Sequence, residues 1–195
     1  MLTPAWPEHL RLYDADAFRG VYGYYPDCIK IYFFRHPERI LERFQFDKFL
    51  YMRLFYNHYA LPNEAYENKS AFLAWSDFLY EKAIEDSHFS VLGSIFGRSI
   101  VGIDGIFPHE FVRAALEKYS NNELTRDVAV GWLNSRGAHF VTDGLAEKKA
   151  ADQYRSYARL LAFEYPQTSK LLLMIAEDYG REAKRDQQYS EAFPQ

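Results

Sequence analysis

Apolar residues recur along this chain mainly at helical spacing, and from Pro37 onward the pattern predicts one helix after another. The segment Glu38–Tyr59 begins amphipathic and then turns apolar on nearly every side through Phe46, Phe49, Leu50, Tyr51, Leu54 and Phe55, which predicts a central, buried helix ending near Pro62. A second helix is predicted over Lys69–Asp86, with Phe72, Trp75, Phe78 and Leu79 inward, and a third from Phe89 to about Arg98. Pro108 opens a fourth with Phe111, Val112, Ala115, Leu116 and Tyr119 on one face. Asn122 is the expected cap of a fifth carrying Leu124, Val128 and Trp132, with Gly137 just past its end.

The last third reads as a helical hairpin over residues 145–192. One arm is expected over Leu145–Tyr165, stopped by Pro166; Thr168 is the expected cap of the other, which places Leu172, Ile175, Ala176, Tyr179 and Ala183 on one face. Residues 1–36 are aromatic-rich and read as helical or irregular, because Ile29–Phe34 has no evident strand to pair with. The expected fold is therefore a single all-α domain spanning residues 1–195, a bundle of about seven helices. Within it, Gly93 and Gly97 fall on one helix face, the spacing that lets a second helix approach closely.

Composition narrows the class. A chain of 195 residues buries roughly 70% of its unfolded surface, enough for a core without disulfides or metal. Aromatics are plentiful, with 16 Tyr, 16 Phe and 3 Trp, which predicts an aromatic core bordered by tyrosines whose hydroxyls find partners. A formal net charge of −4 opposes a main role in neutralising nucleic-acid phosphates. The lone Cys28, and an N-terminus without a basic and apolar leader, point to a reducing, cytoplasmic location. The most apolar stretch, Phe89–Ile103, falls short of the ~20 residues a membrane span needs and reads as a core segment.

No phosphate-binding glycine loop, cysteine-pair zinc pattern, two-histidine zinc helix or serine elbow occurs, so no cofactor or metal is expected. Glu85 and His88 have the spacing of a carboxylate-bridged di-iron site, without the second such pair that site requires. Arg53 and His58 frame an Arg-x4-His pattern in a helical protein. That pattern resembles the motif of the HEPN ribonucleases, and departs from it in the apolar Leu54 after the arginine. The resemblance implies a helical dimer using Arg53 and His58 to promote attack of a ribose 2′-hydroxyl. Arg136 and His139, with Asp143, form a second set of candidates for acid–base work on a loop between helices.

Charge is unevenly spread. Residues 61–143 carry seven Lys and Arg against twelve Asp and Glu, or −5. Asp77, Glu81 and Glu85 recur every four residues and form an acidic stripe whose like charges disfavour one another by about 0.2–0.5 kcal/mol per pair. A basic partner would relieve that repulsion and be steered by it. The leading expectation is thus a non-enzymatic interaction module, of the inhibitor or immunity type, that holds a basic protein through Asp77, Glu81, Glu85 and neighbouring aromatics. The alternatives are a helical nuclease or other nucleic-acid-processing enzyme using Arg53 and His58 or Arg136 and His139, and a structural subunit of a helical assembly joined through the C-terminal hairpin; a homodimer is compatible with each.

Overall fold

The computed structural model of the chain describes residues 34–38, 61–85, 89–136 and 143–192. Six whole α-helices occur there: α1 (Lys69–Glu85), α2 (Ser90–Phe96), α3 (Glu110–Tyr119), α4 (Asn122–Ser135), α5 (Leu145–Leu161) and α6 (Pro166–Ala192). A short 3₁₀ turn at Asn63–Tyr66 precedes α1, and no strand occurs among the described residues. The all-helical class is as expected, and the six helices answer to six of the seven predicted. Nearly all of the predicted Glu38–Tyr59 helix, and the chain before residue 34, lie outside the described residues.

Helix ends follow local chemistry, in places one step away from the expectation. The cap of α4 is Asn121 rather than Asn122. Its backbone is extended, so its side-chain oxygen accepts from Glu123 N (2.9 Å) and Leu124 N (3.0 Å). Pro166 does not merely stop α5, which ends at Leu161; it opens α6, where the missing N–H has no helical partner to lose. Thr168 lies inside α6. The capping acceptor comes from α3 instead, where Glu117 takes Gln167 N at 3.0 Å and Thr168 N at 2.9 Å.

The apolar faces meet in one core. Phe72, Trp75 and Leu79 of α1, Val112, Ala115 and Leu116 of α3, Leu124 and Val128 of α4, and Leu171, Leu172 and Ile175 of α6 are buried in it. Phe72 touches the rings of Trp75, Phe96 and Phe111 at centroid separations of about 6 Å, as the aromatic-core expectation has it. Tyr80, Tyr119, Tyr154, Tyr157 and Tyr179 sit half-buried at its border. α5 and α6 pack antiparallel: Ala158 O accepts Ser169 Oγ near the turn, and Gly144 meets Ala183 at the far end.

The predicted glycine contact is present and fixes α2 against α4. A Cβ on Gly93 would lie 2.5 Å from Asp127 Cβ and 2.7 Å from its carbonyl carbon. One on Gly97 would lie 2.6 Å from Gly131 C and 2.7 Å from Val128 O, and one on Gly131 2.7 Å from Gly93 O. The obstacles are largely backbone, which does not move aside as a side-chain tip does. Gly97→Ala should therefore destabilise by about 3 kcal/mol or more, the upper end for overpacking, read as a lower urea midpoint at unchanged slope. Gly105→Ala is the control. Its added Cβ meets nothing within 4 Å, so only the left-handed backbone (φ +73°) is penalised, by about 1 kcal/mol.

Candidate functional site

A dense polar arrangement lies where the chain passes from α2 to α3. Gly97 ends α2 against α4, so the following loop departs from a fixed point. Within the loop Gly102 N donates to Ile106 O (2.9 Å), Gly105 N to Gly102 O (2.9 Å), and Ile106 N to Asp104 Oδ1 (3.0 Å). Phe107–Pro108 is a cis peptide that brings the chain into α3.

Arg113 of α3 gathers this loop. It is only 1% exposed, so its charge must be met by protein groups. Nη1 and Nη2 grip the Asp104 carboxylate bidentately at 2.7 and 2.9 Å, Nε donates to Pro108 O at 2.7 Å, and Nη2 also donates to Ile106 O. Hydrogen bonding from Arg113 holds the Asp104 carboxyl below the usual carboxylate range. Tyr165, from the α5–α6 turn, covers the guanidinium at 5.9 Å from its ring centroid.

His109 and Glu110 complete the clamp. His109 caps α3: its Nδ1 accepts from Phe111 N at 3.2 Å, and its backbone N donates to Ser99 Oγ at 3.1 Å. The buried ring lies 4.5 Å from the Tyr66 ring and 4.7 Å from that of Phe111. Its Nε2 is 3.2 Å from Glu110 Oε2, while Glu110 Oε1 accepts Ile103 N at 2.6 Å. Burial lowers the His109 pKa.

What the clamp displays is apolar. Ile100, Val101 and Ile103 are 43%, 55% and 96% exposed, although their stretch reads as core in the sequence. The core assignment holds for Phe89 and Leu92–Gly97 and fails at Ile100, Val101 and Ile103, whose side chains face solvent while Glu110 holds the Ile103 N–H and Arg113 holds the neighbouring Asp104 carboxylate. Phe163 on the α5–α6 turn, two residues from Tyr165, is fully exposed, so both turns flanking Arg113 carry apolar projections.

The residues singled out from sequence are dispersed. Arg53, His58 and His139 lie outside the described residues, as does His88. Arg136 ends α4 and is engaged within the chain: both terminal nitrogens donate to Glu182 (3.0 and 2.9 Å), and its guanidinium lies 4.5 Å from the Tyr179 ring centroid and 5.1 Å from that of Trp132.

The acidic stripe requires correction as a row of mutually repelling, unmatched charges. Asp77 accepts from Lys118 Nζ at 2.6 and 2.7 Å and from Tyr119 OH at 3.0 Å. Glu85 accepts from Lys82 Nζ at 2.6 Å. Glu81 is exposed. The repulsion is thus largely met by cations of the same molecule, one turn away on α1 or across on α3.

Among the described residues no group of three or more His, Cys, Asp or Glu side chains is placed to hold a metal, and no helix is long and apolar enough to cross a membrane. Comparison with protein families, with curated proteins and with solved structures finds no match for this chain. The Asp104–Arg113 clamp escapes sequence reading because two residues nine apart across a turn follow no helical or motif spacing; Gly105 and Pro108 mark the turn and nothing more.

The clamp makes a definite stability prediction. Asp104→Ala leaves a buried guanidinium without its counter-ion and should cost about 3 kcal/mol in chemical unfolding, the lower end for such pairs because the carboxylate side meets solvent. The wild-type contribution is present above the unfolded carboxylate value of about 3.9 and is lost as pH falls through the lowered folded value. The alanine variant should show a shallower acid limb.

Proposed function

We propose that this protein is a non-enzymatic, cytoplasmic interaction module of the inhibitor or immunity type. It holds a basic protein partner, and the primary contact is the loop tip at Ile100, Val101 and Ile103. The observation that carries this reading is the union of exposure and rigidity. Three aliphatic side chains stand in water on a loop whose backbone is tied down by Arg113, Asp104 and Glu110. A contact fixed before binding loses little conformational freedom on binding, so its apolar burial goes largely into affinity. The single cysteine supports the reducing location.

Charge has the second part. Asp77 is occupied by Lys118 and Tyr119 and Glu85 is paired with Lys82, and of the three acids Glu81 and Glu85 are the solvent-exposed ones. α1 and α3 run side by side, with Phe72 by Phe111 and Asp77 by Lys118. Glu81 and Glu85 therefore lie toward the end of α3 opposite the loop, about 13 to 20 Å along α1 from Phe72 at 1.5 Å per residue. Over that distance the acids steer the approach of a basic partner, and the loop tip sets how long it stays.

Association and dissociation should then respond to different substitutions. Surface plasmon resonance against the basic protein captured from the native host measures both. Ile103→Asp should raise the dissociation rate roughly 10–100-fold, the equivalent of about 1.5–3 kcal/mol for one buried Ile. Glu81→Lys with Glu85→Lys should slow association at low salt and lose that effect at high salt. An Ile103→Asp variant that folds and dissociates at the wild-type rate removes the loop from the interface.

A further inference from the structure

We propose that His109 is a proton-operated latch: protonating its imidazole withdraws the acceptor that caps α3 and frees the loop carrying Ile100, Val101 and Ile103. The latch is a property of the fold, and only its use in controlling binding rests on the interaction role argued above.

The geometry decides where the second proton must go. Nδ1 accepts the backbone N–H of Phe111, so the neutral ring carries its proton on Nε2, which faces Glu110 Oε2 at 3.2 Å. The remaining lone pair is the one on Nδ1. Placing a proton there sets two donors against each other and ends the cap. It also puts a cation at the positive end of the α3 dipole, in the field of Arg113.

Glu110 transmits the change to the loop. One of its oxygens holds Ile103 N at 2.6 Å; the other lies buried beside the imidazole, with no hydrogen bond of good geometry. An imidazolium draws the carboxylate toward itself, and each step of that rotation weakens the bond to Ile103 N.

The surrounding groups bias the latch shut at neutral pH. Burial between the 3₁₀ turn, through Tyr66, and α3, through Phe111, disfavours the charged ring. Arg113 of α3 disfavours it as well. Glu110 of α3 and Asp104 of the loop favour it, and the balance is a lowered affinity for the proton. Tyr165 of the α5–α6 turn lies beside Glu110 and Arg113 and enters only through them. The latch therefore opens in acid, below the ordinary imidazole value of about 6.5. In that range the unfolded chain binds the proton more readily than the folded one, so stability falls as pH drops below about 6.5 and levels off once the folded imidazole is also charged.

Nuclear magnetic resonance of the full chain tests this without any partner. At pH 7.5 long-range ¹⁵N spectra should show His109 protonated on Nε2 alone. Titration downward through the His109 transition should lower the exchange protection of the Phe111 and Ile103 amides together by tenfold or more, after correction for intrinsic rates, in step with the His109 signal. The Leu172 amide should hold. His109→Asn supplies an acceptor that does not titrate, so both amides should stay protected throughout. The proposal is overturned by the opposite tautomer at pH 7.5, by protection that persists while His109 titrates, or by the same loss in His109→Asn. The wild-type titration decides by itself if the variant does not fold. Because no partner is present, failure of the binding role leaves these spectra unchanged.

Discussion

A guanidinium taken almost entirely out of water is the constraint around which this structure is arranged. Removing such a charge from solvent costs several kcal/mol, and only well-placed acceptors offset it. Arg113 finds them in Asp104, Pro108 O and Ile106 O, all on the loop that precedes its own helix. The loop consequently has little freedom to take another path, since any other path leaves the charge unmet. α3 extends the same logic to its neighbours. One turn on, Glu117 supplies the missing acceptor for the first N–H groups of α6, and Lys118 and Tyr119 reach across to Asp77 of α1. A helix of ten residues thus uses its polar positions to orient a loop, a helix start and a helix flank, while Val112, Ala115 and Leu116 fill the core.

The α2–α4 contact complements this from the other end of the loop. Gly93, Gly97 and Gly131 let two backbones meet where a methyl group would collide with main-chain atoms. Dispersion attraction at that short distance holds α2, and the loop leaving it begins at a defined place. One anchor is packing, insensitive to pH and salt; the other is ionic and hydrogen-bonded, with Asp104 and His109 as the groups through which acid reaches it. Acid therefore acts on the α3 side of the loop and leaves the α2 side intact.

Much of this was readable in the chain. Phe72, Trp75 and Leu79, or Val112, Ala115 and Leu116, recur at helical spacing because each helix buries one stripe, and the Gly93/Gly97 pair announces close packing because only glycine lacks a Cβ. The misreadings share a cause. Ile100, Val101 and Ile103 look like core because hydrophobicity alone does not record which way a loop faces; that is decided by Arg113, ten residues beyond Ile103. Asp77 looks unmatched because Lys118 is 41 residues away in sequence and adjacent only in space. Periodicity registers contacts along one helix, and the candidate site is made of contacts between elements.

That distinction also decides which surface feature says more about function. A solvated carboxylate carries little penalty, and an acidic excess in residues 61–143 is compatible with a face that meets only water and its own lysines. The side chain of Ile103 is different. The fold uses the backbone N–H at this position, through Glu110, and leaves the side chain 96% exposed, so nothing in the packing of α1 to α6 calls for isoleucine there. With Ile100 and Val101 beside it and the buried Arg113 paired to Asp104, the residue is held in water by interactions that stabilise the loop and gain nothing from its own hydrophobicity. An apolar surface preserved in that way by the rest of the molecule releases its free energy only when something else covers it.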